Sequence, residues 1–369
     1  MQPRRGFSGV LLVSLLIHLH WSLCWVAPAS RASSSNCHRL TIVLVTSPIP
    51  SHPSTELIDQ VIQSFDLVEG LEACPLIIVA DGFQIREGKP AWNQGRIDES
   101  SGDRYLRYID ALKSKYESAG SADARRAVKV IGPLTKRVNF GHALLAGLSE
   151  VRTEFVLVVQ HDRVFAEPFA MDEVLRLFDA HHKIRYVGFQ TVPDYVTYAV
   201  SKYGGWARCK VSDQTTGLIP CFIWYDSTHV CRAQDVAALI EKEVKPGEFI
   251  ESSFGCRLLA SIQQKKDEWS FAYHMENYGV FLYYEPTVRT EGPLVRHVSG
   301  RSFVSREDRI KMGWPAERPS VSRRIRRENT AILDVLSSDG SKREAPLHLL
   351  RGDSASYCLV LASHPTCPN

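Results

Sequence analysis

The stretch "FVLVVQHDRVF", residues 155 to 165, decides the fold. A run of apolar, mostly β-branched residues ends abruptly in Gln160-His161-Asp162. Such a run reads as a strand buried on both faces. Open α/β sheets bind ligands in the crevice outside the carboxyl ends of their strands, so an acid in that position points to chemistry. In an ideal strand His161 alternates away from Asp162, and it is given no role.

Upstream of this strand the same alternation recurs. "LTIVLVTS" (40 to 47) and "PLIIVAD" (75 to 81) are apolar strands, the second closed by Asp81-Gly82. "AVKVIGP" is a third strand. Between them, "STELIDQVIQSF" places Leu57, Ile58, Val61, Ile62 and Phe65 at helical spacing. "DRYLRYIDALKSKY" predicts a helix with Leu106, Ile109 and Leu112 on one side, and "NFGHALLAGLSEV" one with Leu144, Leu148 and Val151. Fully apolar strands alternating with helices imply an α/β fold: a mostly parallel central sheet flanked by helices. Downstream, "FAMDEVLRLFDAHH" predicts a helix, and "YVGFQTV" and "YGVFLYYEP" predict strands. "PDYVTYAVSKYGGW" and "IPCFIWYDSTHVCR" read as aromatic-rich loops on an acceptor-side subregion.

The segment 137 to 165, "RVNFGHALLAGLSEVRTEFVLVVQHDRVF", resembles the core of inverting glycosyltransferases of the GT-A type, especially family 2. The matching positions are Asn139, Gly141, Ala143, Gly147, Thr153-Glu154-Phe155 and the strand ending at Asp162. The resemblance extends over about residues 40 to 300 and is clearest from 40 to 165. It implies a Rossmann-like GT-A fold and a nucleotide-diphosphate sugar donor. One departure is plain: Gln160 stands where the family has the first acid of its Asp-x-Asp pair, so only Asp162 remains.

What the resemblance implies about the site follows residue by residue. Asp162 holds a divalent cation, and His297 in "VRHVSG" matches the late histidine that supplies a second ligand. Mn²⁺ or Mg²⁺ is then the cofactor, since hard cations bridging phosphates seldom need an all-protein cage; an imidazole ligand favours Mn²⁺. Asp81 contacts base or ribose, Thr46 and Pro48 form the first nucleotide loop, and Asn139 opens the matching helix. Arg137, with Lys136 beside it, and Arg301 in "SGRS" face the diphosphate or base. Inverting transfer needs a base for the acceptor hydroxyl. Glu251 in "FIESSFG" matches that position, with Ser252 replacing a second acid and Glu248 as the nearest rival. The acceptor pocket is assigned to Trp224, Tyr225, Asp226 and His229, with Tyr203 and Trp206 as further aromatic candidates, because sugar faces stack on aromatic rings.

The remaining features concern compartment and organisation. Residues 1 to 27 carry Arg4 and Arg5 before an apolar run from Gly9 to Ala27. This is a signal anchor or a cleavable signal peptide, the anchor being preferred. Either way the body enters the secretory pathway, with the expected location the lumen of the Golgi or endoplasmic reticulum and membrane contact through this segment alone. Residues 28 to 39 read as a stem, 40 to 310 as the glycosyltransferase domain and 311 to 369 as a peripheral tail. Nine cysteines suit an oxidising compartment, and no Cys-x-x-Cys spacing suggests structural zinc. A net charge of +3 argues against nucleic acid as a partner. Walker, dinucleotide-binding and α/β-hydrolase motifs are absent, as are sequons, and "RGD" at 351 to 353 is a chance match. The expected function is metal-dependent inverting sugar transfer to a hydroxyl of a glycan, protein or lipid. The alternative, favoured by Gln160, is a catalytically silent lumenal protein that binds glycan or sugar nucleotide. A nucleotidyltransferase ranks lower, because "TSPIPSHPS" is not a Gly-rich basic loop.

Overall fold

Leu40–Thr46 (β1) is buried along its whole length, as an apolar strand must be when both faces of its sheet are covered. The computed structural model describes residues 36–117, 125–207, 217–284 and 292–316. The calls on residues 1 to 27, on 28 to 35 and on the tail from 317 lie outside the described residues. Strands β2 (Leu76–Ala80), β3 (Val128–Ile131) and β4 (Phe155–Gln160) complete a parallel group with β1. The central sheet then continues through three strands from the second half: β6 (Tyr186–Phe189), β7 (Leu218–Pro220) and β8 (His229–Arg232), with β9 (Val280–Tyr283) after them. Its order is β7-β9-β6-β8-β4-β1-β2-β3, with β8 antiparallel to both its neighbours and β7 antiparallel to β9. The mostly parallel α/β sheet anticipated from the sequence is therefore present.

Side-chain alternation divides the core in two. Leu40, Ile42 and Leu44 face helices α1 (Glu56–Ser64), α2 (Glu99–Tyr116) and, later in the chain, Met171–Ala180 (α4). Val43 and Val45 face α3 (Asn139–Leu148), with α5 (Tyr195–Tyr203), α6 (Ala233–Glu243) and α7 (Cys256–Gln264) on the same side. Gly147 lets α3 lie flat on the sheet: a Cβ there would sit 2.6 Å from Val43 and 2.8 Å from Val79. Asp98 caps α2 by accepting from the Ser101 N–H at 2.7 Å.

Several expectations are corrected. Leu106 is exposed, and the buried stripe of α2 is Tyr105, Tyr108, Ile109 and Leu112, because the helix starts earlier and its axis is rotated. Val151 lies beyond the end of α3. The two aromatic segments read as loops contain α5, β7 and β8; Tyr195, Phe222 and Trp224 are core residues, and Tyr198, Tyr203, Trp206 and Tyr225 are partly buried against that core. Helix α8 (Phe271–Asn277) and the short α9 (Arg306–Lys311) close the described part. Among the described residues no helix is long and apolar enough to cross a membrane, and the N-terminal segment is not among them. Cys221 and Cys231 are buried thiols, and burial pushes the Cys221 thiol up to about 12.

Candidate active site

His161 and Asp162 form the turn between β4 and the short strand β5 (Arg163–Phe165). This pairs antiparallel with β10 (Val295–His297), setting His297 opposite Arg163. The ribbon is what brings His297 to Asp162 across more than a hundred residues of chain. His297 Nε2 lies 2.9 Å from Asp162 Oδ2, and the Gly300 N–H donates to the same oxygen at 3.1 Å. Burial alone would raise the Asp162 carboxyl. The hydrogen bond from His297, with the charges of His161, His297 and Arg163, outweighs it and holds the group well below the usual carboxylate range.

Asp162 and His297 share a hydrogen bond at 2.9 Å here; a carboxylate and an imidazole are also two donor types that could together hold a divalent cation once that proton is lost. Among the described residues no group of three His, Cys, Asp or Glu side chains forms around it, so a cation held there would draw its other ligands from outside these side chains. Gln160 occupies the place of the missing acid, and its side-chain oxygen accepts from Arg163 Nε at 3.3 Å.

His161 is the residue that sequence reasoning missed. Alternation fails because the strand stops at Gln160 and the chain turns. Its Nδ1 accepts from the Ser47 N–H at 3.2 Å and lies 2.8 Å from the Thr46 hydroxyl, which places its proton on Nε2. A Cβ on Gly300 would sit 3.1 Å from that Nε2 and 3.3 Å from Asp162 Oδ2, so both side chains face the same turn. Thr46 is buried, its hydroxyl also 3.2 Å from Tyr108, and Pro48 is buried beside it. Thr46 supports His161 through its hydroxyl contact.

Asp81 has a different position from the one expected. It is 4% exposed, and both its oxygens are engaged: Oδ1 accepts from the N–H groups of Gly82 at 2.8 Å and Val138 at 2.9 Å, Oδ2 from that of Asn139 at 3.1 Å. In the structure it clamps the entry to α3. Burial raises its carboxyl, and the three N–H groups and Arg137 act against that. Asn139 starts α3 in the left-handed region, with φ of 64°, and its side-chain amide donates to the Gly247 carbonyl. Gly247 returns an N–H to Val138 O at 3.0 Å. The Asn-x-Gly match is therefore a seam that sews α3 to the loop before Glu251, and Gly141 permits it by lying close to Val244 and Ile250.

Glu251 opens a π-helical turn, Glu251–Gly255, that runs straight into α7, rather than preceding the helix as a loop residue. Burial raises its carboxyl, while the Asp226 backbone N–H, Arg163 and Lys202 oppose the rise. Arg163 is within electrostatic reach of both Asp162 and Glu251, each of which favours its charge, while burial opposes it more strongly. Nothing in the sequence marked Arg163 beyond its place after Asp162. Asp226 lies against Glu251, 5% exposed; burial first, and then the Glu251 charge, push it well above the usual range.

Trp224 and His229 are corrected. They are 1% and 0% exposed, and their rings pack together with Tyr186 and Phe254, so neither offers a face to a sugar. His229 donates from Nδ1 to Ser227 O, and burial lowers it to about 4. Accessible aromatic surface belongs instead to Tyr225, Tyr203 and Trp206, with the first two joined by a 2.6 Å hydroxyl contact. Arg137 is half-buried, its NH2 group donating to Asn93 O at 2.7 Å. Arg301 is exposed on the Gly300–Ser302 turn and is felt by both His161 and Arg137.

No family model and no curated protein matches this chain. Among solved structures it is similar to several proteins that handle sugar nucleotides. One is a mannosyltransferase from Pyrobaculum calidifontis in complex with GDP-Man and Mn²⁺: 13% identity, TM-score 0.39, 96% of this chain and 84% of that one. Another is TarS of S. aureus with UDP-GlcNAc: 12% identity, TM-score 0.36, 73% of this chain and 63% of that one. A third is a CMP-2-keto-3-deoxy-manno-octonic acid synthetase with CTP: 12% identity, TM-score 0.35, 67% of this chain and 89% of that one. The chain spans only 51% and 35% of two further TarS chains. At these scores the likeness carries nothing about activity; the fold class stands on the strand order and the site on its own distances.

Proposed function

We propose that this protein is a metal-dependent inverting glycosyltransferase, moving a sugar from a nucleotide-diphosphate donor to a hydroxyl acceptor within the secretory pathway. The observation that carries the reading is the 2.9 Å pair of Asp162 and His297 just past the carboxyl end of β4, with half-buried Glu251 within electrostatic reach of the neighbouring Arg163. Asp162 and His297 would hold Mn²⁺ or Mg²⁺, which when bound stabilises the departing diphosphate. Arg301 adds positive charge on the rim of that site. Glu251 accepts the proton of the acceptor hydroxyl as that oxygen forms its bond to the anomeric carbon and the donor's bond to the diphosphate breaks. A carboxyl raised by burial suits this task, because a base works best with a pKa near the working pH. Asp81 and Asn139 serve by fixing the α3 entry that faces the nucleoside side. The N-terminal segment would tether the chain, with the described domain in the Golgi or endoplasmic reticulum lumen.

A second reading, a sugar-nucleotide binder without turnover, is favoured by Gln160, which pairs with Arg163 where a second acid would stand. Incubation with a panel of sugar nucleotides and Mn²⁺ separates the two. Release of the nucleoside diphosphate that disappears in Glu251→Gln supports transfer. Metal-dependent binding without release supports the binder. Absence of both refutes the site.

A further inference from the structure

Next to Arg137 lies an open, solvent-facing cavity of about 410 Å³ lined by Gln84, Arg86, Gln94, Arg96, Arg137 and Gly247, four of them exposed. Three of its six lining residues are arginines and none is acidic. The arrangement follows from a small parallel ribbon, 84–85 against 96–97, in which Gln84 pairs with Arg96. Residues paired across a ribbon share a face, and Arg86, two positions on from Gln84, stands on that face as well. The third guanidinium comes from elsewhere in the chain. Arg137 crosses to the ribbon, its stem packed over Gly95, where a Cβ would lie 2.2 Å from Arg137 Cδ, and its NH2 group held by Asn93 O. Gly95 has a φ of 59°, a left-handed conformation that glycine adopts freely.

The charges here are only partly compensated, Asp81 acting on Arg137 without an ion-pair contact. Among the described residues none of the three arginines has a carboxylate within 4.0 Å, although the protein pairs arginine with acid at Arg39, Arg125, Arg176, Arg232 and Arg257. Burial disfavours the charged form of Arg137 most; the Asp81 charge supports it, and Arg96 and Arg301 oppose it. Convergent guanidiniums that repel one another are stabilised by an anion. Their planar donor forks match the oxygens of a phosphate, which carries up to two negative charges near neutral pH. The two glutamines add neutral amide donors at the rim. Gly247, the opposite wall, belongs to the loop that is sewn to Asn139 and leads into Glu251.

We propose that this cavity is a phosphate-binding subsite, distinct from the Asp162–His297 edge, for a phosphate group carried by a ligand other than the donor's diphosphate. It stands on the cavity and its arginines and does not require that the protein transfer sugar. The test is differential scanning fluorimetry and calorimetric titration of the full chain at low ionic strength, without divalent metal. Inorganic phosphate and glucose 6-phosphate are the probes, with chloride at matched ionic strength as control. The expected result is stabilisation by phosphate but not by chloride. Arg86→Gln and Arg96→Gln should each weaken binding by about tenfold, the loss of one charge-assisted hydrogen bond of about 1.4 kcal/mol, whereas Asp162→Asn should leave it intact. Tighter binding of glucose 6-phosphate than of phosphate assigns the subsite to a phosphorylated sugar; the reverse order assigns it to the free ion. Stabilisation matched by chloride, or unchanged in both arginine variants, overturns the proposal. Loss of sugar-nucleotide binding in Asp162→Asn with phosphate binding retained shows that the two sites are separate.

Discussion

Replacing Asp81 by alanine tests how the nucleoside side of the cleft is built. The carboxylate accepts three backbone N–H groups, at 2.8, 2.9 and 3.1 Å, two of them at the entry to α3. A buried N–H left without a partner costs about 1–3 kcal/mol, so the gross loss is about 3–9 kcal/mol. Against this, removing a buried carboxylate recovers a desolvation penalty of several kcal/mol, which is the main reason its pKa is raised. The net destabilisation should be about 2–4 kcal/mol, a fall in melting temperature of about 4–16 °C. Asp81→Asn should lose about 1–3 kcal/mol, because its amide oxygen still serves Gly82 and Val138 while its NH2 meets the Asn139 N–H. Urea unfolding of the three proteins, compared at constant m-value, measures both. A stability within about 0.5 kcal/mol of wild type in Asp81→Ala would refute the clamp. If that variant also lost nucleotide affinity, Asp81 would be a ligand-contacting residue after all.

Other consequences are as specific. Gly147→Ala should destabilise by about 1–3 kcal/mol in the same assay, since its Cβ would enter within 2.8 Å of Val43 and Val79 and α3 would have to lift. Glu251→Gln should lower turnover by about 10²–10⁴-fold while leaving nucleotide affinity unchanged. In the wild type, the acid limb of kcat/KM should lie above the ordinary glutamate range, because burial raises Glu251 and only its deprotonated form accepts the acceptor proton. His297→Ala should flatten the acid limb of stability. Asp162 has a folded pKa below its unfolded value, so its contribution is present above the ordinary aspartate range and lost as pH falls; thermal melts from pH 3 to 7 should show that loss reduced in the variant.

Much of the fold was legible because its signal is local. β1, β2, β3 and β4 are continuous apolar runs, and α1 buries Leu57, Ile58, Val61 and Ile62 as their spacing predicts. The acid at the end of β4 could be located for the same reason, and the pairing with His297 followed from the resemblance. What was illegible depends on chain reversals and distant contacts. His161 reaches the cleft only because β4 stops one residue before it. Arg163 lies opposite His297 through the pairing of β5 with β10 and within electrostatic reach of Asp162 and Glu251, which leaves no periodic mark in so short a strand. Trp224 looked like a sugar-stacking group and His229 like a polar group lining the acceptor pocket, and the sheet instead buries both; burial of a polar aromatic cannot be read from composition. The arginine cavity is assembled from three segments, so no window of sequence contains it.

The central claim is that Asp162 and His297 hold a divalent cation against a nucleotide diphosphate. It is tested most directly by calorimetric titration of GDP and UDP into the protein with Mn²⁺, with EDTA, and with Mn²⁺ in Asp162→Asn. The account predicts binding of at least one nucleotide in the first case, and at least a tenfold loss in the other two. Equal affinity in all three would contradict it.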